Sequence, residues 1–336
     1  MLTDAKYLLS SLSEALARPR LHCSRFYLLT DRELTMLMAK PSCNTLNGVA
    51  SKIFNNVSTL KWRENMITGV ESTEGEQLTL PEPVLFSFDK QNSHEGGVSV
   101  GLHVQQIIDE LHKAVKQSLK TSVEVLGQEG RLFRSLLQEQ PTSAVVLSWR
   151  VWWAAGMDVA LRNRAKGKKD AFQNALAAVS NDIIFLLEAM GCGTDNDYLN
   201  NEKTEEEGTA PLSSVRTSSR LSSQTARRAT EPPIPSANCL PLLMACLHAR
   251  DIIATLIRKN TSRVDCFSWL SHLRYTWQSS ESKLMLQAAH CILEYGCEYS
   301  GCGAPDYVLT QISERSILVI INALSAHTPP MLFGEL

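Results

Sequence analysis

The stretch VQQIIDELHKAVKQSL, residues 104–119, decides the fold class of this sequence. Apolar residues recur along it at spacings of three and four, at Val104, Ile107, Ile108, Leu111, Val115 and Leu119. This spacing places one apolar stripe along a helix of about four turns, with charged residues on the opposite side. A long helix with one buried face is typical of a mainly α-helical protein built from packed helical bundles.

Similar patterns predict helices on both sides of this stretch. They cover residues 4–16, where Pro19 is expected to stop the helix, and residues 143–164, 172–190, 240–259 and 282–294. Thr30 followed by Glu33 is a capping-box pattern, so a short helix should begin there and end near Pro41. Residues 66–88 alternate around an acidic turn and predict a small β-hairpin portion.

Residues 191–238 differ from the rest of the chain because they consist mainly of Ser, Thr, Glu, Arg and Pro. With so few apolar side chains to bury, this segment is predicted to be a disordered insertion. Arginines precede Ser222, Ser223 and Thr230, a context that basophilic kinases accept, so these three residues are candidate phosphorylation sites. The alternative is an inert, solvated loop.

The overall composition excludes several function classes. The 33 Lys and Arg against 35 Asp and Glu give a formal charge of −2, so no long-range attraction toward nucleic acid or an anionic membrane is expected. No uninterrupted apolar run approaches the length of about 20 residues that spans a bilayer. Nine scattered cysteines without a secretion signal indicate reduced thiols.

No pattern for catalysis or phosphate binding is present in the sequence. Two glycine pairs have the phosphate-loop spacing, Gly96/Gly101 and Gly296/Gly301, and neither is followed by the Lys and hydroxyl residue that phosphoryl transfer requires. The expectation is therefore no catalytic residue and no cofactor in this chain.

The densest thiol cluster consists of Cys291, Cys297 and Cys302, next to His290. Its spacing does not match a zinc knuckle, so buried structural thiols are the prediction and a thiol-metal protein is the alternative. No metal site is predicted elsewhere.

The aromatic stripe FSWLSHLRYTW, residues 267–277, is by spacing a core element. Its literal order resembles the F-x-W-L-x-x-L-R-Y-x-W segment of dynein heavy chains. YGCEYSG at 295–301 resembles that family's Y-G-x-E-Y-x-G, HARD at 248–251 resembles its H-x-R-D, and RFYLLTDREL at 25–34 resembles its R-F-x-F-L-S-x-x-E-L. The matching structural residues are Phe267, Trp269, Leu273, Arg274, Tyr275, Trp277, Tyr295, Gly296, Glu298, Tyr299 and Gly301.

The resemblance implies the linker of a dynein motor, an elongated array of helical bundles that bends and straightens over an AAA+ ring. Residues 1–190 and 239–294 would be linker, and residues 295–336 a truncated, divergent start of the first AAA+ module. ATP and Mg²⁺ would belong to the rest of the ring, and this piece would have no ATPase activity of its own. Implied partners are the motor ring, dynein intermediate and light chains, and microtubules, in the cytoplasm or the axoneme of a cilium or flagellum.

The segment after Gly301 departs from the family, where it reads close to R-L-V-I-T-P-L-T-D-R-C-Y and forms the adenine side of the first nucleotide pocket. Val308, Thr310 and Arg315 match and would be vestigial nucleotide contacts. Asp306 and Gln311 replace an arginine and a proline, changing charge and backbone restriction.

These departures, with the end at Leu336 ahead of any phosphate loop, lead us to expect a fragment or short isoform of a divergent dynein heavy chain domain-containing protein. Two functions remain open. One is a mechanical segment of a motor in ciliary movement, and the other is a non-motor axonemal scaffold that keeps the linker fold.

Overall fold

The computed structural model describes residues 2–86, 96–130, 132, 134–192, 233–302 and 310–334, and the fold is mainly helical. The helices are α1 (Leu2–His22), α2 (Asp31–Ala39), α3 (Cys43–Ile53), α4 (Gly96–Glu129), α5 (Arg134–Glu139), α6 (Thr142–Ala165), α7 (Ala171–Ala189), α8 (Ser236–Arg258), α9 (Phe267–Leu270) and α10 (Gln311–Ser325). The strands are β1 (Val57–Arg63), β2 (Met66–Ser72), β3 (Gln77–Leu85), β4 (Arg274–Gln278), β5 (Lys283–Ala288) and β6 (Cys291–Glu294).

The N-terminal helices begin where local chemistry favours it. The side chain of Thr30 accepts a hydrogen bond from the backbone N–H of Glu33, and the Glu33 carboxylate accepts one in return, which confirms the predicted capping box and the short helix α2. The prediction that Pro19 stops α1 is wrong. Pro19 lies inside the last turn, where its missing N–H removes one hydrogen bond of the helix, and α1 nevertheless continues to His22.

The predicted β-hairpin is present as β2 and β3 and gains a third strand, β1, which forms an antiparallel sheet in the order β1–β2–β3. Pro81 and Pro83 fall in β3, which is an edge strand of this sheet, so their missing donors leave no ladder bond unmade. The long helix α4 packs against β3, and the Glu110 carboxylate accepts a hydrogen bond from the backbone N–H of Glu82.

A second antiparallel sheet, in the order β4–β5–β6, occupies residues 274–294. The sequence predicts helices over 240–259 and 282–294 within the segment 239–294, and the second of these predictions is wrong, because β5 and β6 occupy those residues. Only α8 and α9 are helical there. Pairing with β4 and β6 decides the structure of β5, although its Leu, Met, Gln and Ala are good helix formers.

Two hydrophobic cores lie side by side. The first joins α1 to α4 and the first sheet, and also takes in Leu284, Cys297 and Tyr299 from the C-terminal part. The second is formed by α5 to α8 with the fully buried Trp269. The long helices predicted over 143–164, 172–190 and 240–259 are confirmed as α6, α7 and α8, and they build this second core.

Two helices, α6 and α8, are long and apolar enough to cross a membrane by length and composition. About half of each apolar window is buried inside the protein, 56% in α6 and 44% in α8. The sequence expectation considered only uninterrupted apolar runs and did not identify them. Their apolar character is accounted for by their place at the centre of the second core.

Most of the predicted insertion, residues 193–232, lies outside the described residues, and so do Ser222, Ser223 and Thr230. Residues 236–238, predicted to end the insertion, already belong to α8.

Candidate functional site

A cavity of about 310 Å³ lies where α6, α8, the second sheet and α10 meet. Its walls are mostly apolar, with a few polar groups at one end. The lining includes Trp149, Arg150, Trp153, Ala245, His248, Ile252, Leu273, Tyr275, Ala288, Tyr295, Cys302, Glu314, Ile317 and Leu318. Concave, mainly apolar cavities with a few convergent polar groups are the usual places for ligand contacts, so this is the candidate site.

A His–Glu–His cluster stands at one end of this cavity and consists of His248, His272 and Glu314. His248 projects from α8, His272 follows α9, and Glu314 lies in the first turn of α10. Glu314 Oε1 is 3.0 Å from His248 Nε2 and 2.9 Å from His272 Nδ1. Burial alone would raise the pKa of Glu314, but the hydrogen bonds to the two imidazoles outweigh it and lower the pKa to about 2. The carboxylate is therefore ionised at neutral pH.

The sequence did not single out this cluster, because its members are 24 and 42 residues apart. A usable signal existed, since His248 and His272 both lie within segments that carry the family resemblance. The sequence alone could not show that Glu314 meets them, as this depends on how α10 packs back on the body.

Trp269 is the buried anchor of the segment 267–277. Its side chain is fully buried, its Nε1 donates to Asp158 Oδ1 at 2.8 Å, and its ring meets that of Trp153 edge-on at 5.6 Å. The Arg274 guanidinium lies 5.8 Å from the centre of the Trp269 ring, a cation–π arrangement. Burial lowers the pKa of Arg274, and the nearby Asp158 counteracts part of that effect.

The other residues of this segment have separate roles. Leu273 and Tyr275 line the cavity, and the Arg150 guanidinium lies 5.3 Å from the centre of the Tyr275 ring. Trp277 packs against the first core, whereas Phe267 is exposed, with 69% of its surface accessible. The residues that carry the resemblance therefore have different structural roles, and Phe267 belongs to neither core.

The segment 295–301 ties the C-terminal part of the chain to its N-terminal part. Glu298 forms an ion pair with Arg25 at 2.6 Å, and the buried hydroxyl of Tyr299 donates to Glu76 Oε1 at 3.0 Å. The Asn56 amide donates to the backbone oxygen of Ser300 at 3.2 Å. We refer to these three contacts as the clasp.

Gly301 ends the clasp in a conformation that requires glycine. Its φ is +58°, and a Cβ there would lie 2.4 Å from the Asn56 amide nitrogen. Gly296 differs, because a Cβ there would meet no atom within 4 Å. Tyr295, between the second sheet and the clasp, lines the cavity, and burial raises its pKa to about 12.

Of the three residues expected to be vestigial nucleotide contacts, the structure describes Thr310 and Arg315. Val308 lies outside the described residues. Thr310 is the N-cap of α10 and exchanges capping hydrogen bonds with Ser313, and Arg315 is exposed. Gln311 is the first residue of α10, a position that accepts proline as well as other residues. A glutamine in place of the proline of the family is therefore compatible with the start of this helix.

The thiols of the cluster predicted from sequence have separate surroundings. Cys291 donates to Asn322 Oδ1 at 2.9 Å, Cys297 is buried in the first core, and Cys302 lies 3.5 Å from Thr142 Oγ1. Burial raises the pKa of Cys302 to about 12, so this thiol is protonated at neutral pH. Within the described part of the chain, the only three metal-type ligands whose donor atoms converge are His248, His272 and Glu314.

Comparison with known proteins finds similarity to dynein heavy chains. Residues 3–125 match the family model "Dynein heavy chain, N-terminal region 2". The chain is 21% identical over 325 residues to the ciliary dynein beta chain of Heliocidaris crassispina and 23% identical over 321 residues to dynein axonemal heavy chain 1 of Homo sapiens. It is 22% identical over 327 residues to dynein heavy chain-like protein 1 of Plasmodium falciparum.

These matches cover 94%, 93% and 94% of the chain and 6% of each relative. The chain is thus a mainly helical body with two small sheets that is matched along nearly all of its length by dynein heavy chains. The resemblance read from the sequence is confirmed by this family model and by these relatives, which together support a segment similar to dynein heavy chains.

Proposed function

We propose that this chain is a linker segment of a dynein heavy chain-like protein, a mechanical element in the microtubule-based movement of cilia or flagella that has no ATPase activity of its own. The relatives that the chain matches include ciliary and axonemal dyneins. The observation that carries the proposal is the clasp, because it joins parts of the chain that are more than 200 residues apart.

A segment that transmits force has to resist relative movement of its two ends. The clasp connects residues 25–76 with residues 298–300 through one ion pair and two hydrogen bonds, and Tyr299 and Leu284 extend the first core across the same junction. Packed interfaces of this kind move as units and do not deform continuously. The N-terminal helices and the second sheet therefore form one mechanical unit in the proposed lever.

The absence of ATPase activity is proposed from the surroundings of the glycines. Gly101 lies in the second turn of α4, where its backbone N–H is used within the helix and is not free to cradle phosphate, and the pair Gly96/Gly101 is followed by Leu102 and not by the Lys that a phosphate loop requires. A Cβ at Gly101 would lie 3.5 Å from side-chain atoms of Cys23 and Phe26, so this glycine faces α1 and the N-terminal core. Gly296 and Gly301 belong to the clasp segment. In this proposal ATP and Mg²⁺ are handled by a motor ring, and intermediate chains, light chains and microtubules are partners through the complex, in the cytoskeleton of a cilium or flagellum.

The mechanical role is tested by a chimera in which this chain replaces the matching segment of an axonemal dynein heavy chain. Microtubule gliding and ATP hydrolysis are measured together. We expect the chimera to move microtubules. The Gly301→Ala chimera should hydrolyse ATP but glide more slowly, because the new Cβ displaces Asn56 and loosens the clasp.

Gly296→Ala is the matched control, because it adds the same methyl group in the same segment but in open space. The chimera with this substitution should move microtubules as fast as the unmodified chimera. A folded chimera that hydrolyses ATP without moving microtubules would contradict the mechanical role and favour the scaffold alternative. Equal gliding speeds of the two alanine variants would contradict the role of the clasp.

The lack of nucleotide chemistry is tested on the chain alone. Titration with ATP and Mg²⁺, followed calorimetrically, should show no saturable binding. Tight, Mg²⁺-dependent binding of ATP would refute this part of the proposal and leave the gliding experiment unaffected.

A further inference from the structure

The geometry points to a metal site that the family assignment does not include: we propose that His248, His272 and Glu314 bind one Zn²⁺ ion. The inference does not depend on the proposed function. It rests on three side chains from three separate elements whose donor atoms all lie within 4.8 Å of one another.

The donor set suits zinc. Two imidazole nitrogens and one carboxylate oxygen are a recurrent protein ligand set for Zn²⁺, with metal–ligand bonds of about 2.0–2.2 Å. A regular tetrahedron with such bonds has edges of about 3.3 Å. The two distances from Glu314 Oε1 to the imidazole nitrogens, 3.0 and 2.9 Å, therefore have to open by only a few tenths of an ångström. The two imidazole nitrogens lie within 4.8 Å of each other, and zinc would bring that distance toward the same tetrahedral edge.

The three side chains are partly shielded from solvent, and the cavity beside them leaves room for a fourth ligand. The side chains are exposed by 21% for His248, 14% for His272 and 24% for Glu314, so the ligands are shielded while an entry path remains. His248 and Glu314 both line the 310 Å³ cavity, so a metal-bound water can occupy the fourth position on that side.

A bound ion would fasten α10 to the rest of the chain. Only Ile321 of the described side chains in α10 is buried, and the helix otherwise meets the body through half-exposed residues and the hydrogen bond between Cys291 and Asn322. The cluster links the first turn of α10 to α8 and to the turn after α9. Zinc binding is thus expected to stabilise the position of α10 more than that of any other helix.

The test uses the 336-residue chain after removal of metal with a chelator. Titration with ZnCl₂ in a calorimeter should show saturable binding of one ion. His272→Gln and Glu314→Gln should each weaken it at least tenfold, since each removes one of three ligands while an amide keeps a hydrogen-bonding group in the cluster. His290→Gln, which changes an exposed histidine, is the matched control and should bind like the unmodified chain.

The nine thiols are excluded as ligands by replacing zinc with Co²⁺. The unmodified chain should give the visible spectrum of a tetrahedral site with nitrogen and oxygen ligands and no thiolate charge-transfer band, so the result does not depend on any variant folding. Circular dichroism checks the variants, and the comparison uses those with the unmodified spectrum. No zinc binding, equal binding by the glutamine variants, or a thiolate band would each overturn the proposal and leave a hydrogen-bonded cluster only.

Discussion

Tyr299→Phe removes one oxygen atom from the clasp and tests its strength. In the native chain the Tyr299 hydroxyl donates to Glu76 Oε1 at 3.0 Å, and only 2% of the residue is exposed. Burial and the adjacent Glu76 carboxylate raise the pKa of Tyr299, so the hydroxyl stays protonated and remains a donor. Phenylalanine fills the same volume in the first core, so the change isolates the hydrogen bond.

The magnitude follows from the remaining partners of Glu76. A hydrogen bond to a charged group contributes about 1.5–3 kcal/mol to stability. Glu76 keeps the backbone N–H of Thr142 at 2.8 Å and the thiol of Cys302 at 3.5 Å, and it is partly open to water. We therefore expect a loss of about 1–2 kcal/mol in the free energy of unfolding, at the lower end of that range.

Urea denaturation followed by circular dichroism measures this loss. Tyr27→Phe is the control, because the Tyr27 side chain is 64% exposed and its variant should change the free energy by less than about 0.5 kcal/mol. If the two variants are equally stable, the hydroxyl of Tyr299 does not hold the clasp together and the reasoning is refuted.

Three further changes test other parts of the structure. Thr30→Ala should lower the free energy of unfolding by about 1 kcal/mol through loss of the cap of α2, measured by urea denaturation, and an unchanged midpoint would count against the cap. Gly301→Ala should cost about 1–3 kcal/mol in the same assay because φ is +58° and Asn56 blocks the new Cβ; stability equal to that of the native chain would argue against this. Burial raises the pKa of Asp182 above its unfolded value, although the hydrogen bond from Trp149 opposes this shift. The ionised form of Asp182 therefore destabilises the fold. This destabilisation is absent below the unfolded pKa and complete above the folded pKa. Asp182→Asn should therefore gain stability relative to the native chain as the pH rises from about 4 to neutral, and a constant difference in melting temperature over that range would contradict the assignment.

The helices were predictable where chemistry within one or two turns decides the structure. The side chains of Thr30 and Glu33 each accept a hydrogen bond from the backbone N–H of the other residue, and residues 104–119 carry a complete apolar stripe. Both helices could therefore be predicted without knowledge of the rest of the chain. The same local reasoning failed for residues 282–294. There the propensity favours a helix, and the strands form because β4 provides a partner for β5 and β5 provides one for β6.

The candidate site was much less predictable than the helices. Trp269 was recognisable as a core residue because aromatic spacing indicates burial, and it is fully buried. The meeting of His248, His272 and Glu314 depends on the packing of α10 over α8, which no local pattern encodes. The opposite error concerns residues that are close in sequence but have different surroundings in the structure, as Cys291, Cys297 and Cys302 do.

Glu76 imposes an order on how the chain can fold during its synthesis. Its partners Thr142 and Tyr299 lie 66 and 223 residues further along. When the first sheet has emerged from the ribosome, this carboxylate still faces water, and the N-terminal core still lacks Leu284, Cys297 and Tyr299. Because a domain is completed only when all its contributing segments are available, the first core cannot close until residues 284–299 have been made, although most of it comes from residues 16–119.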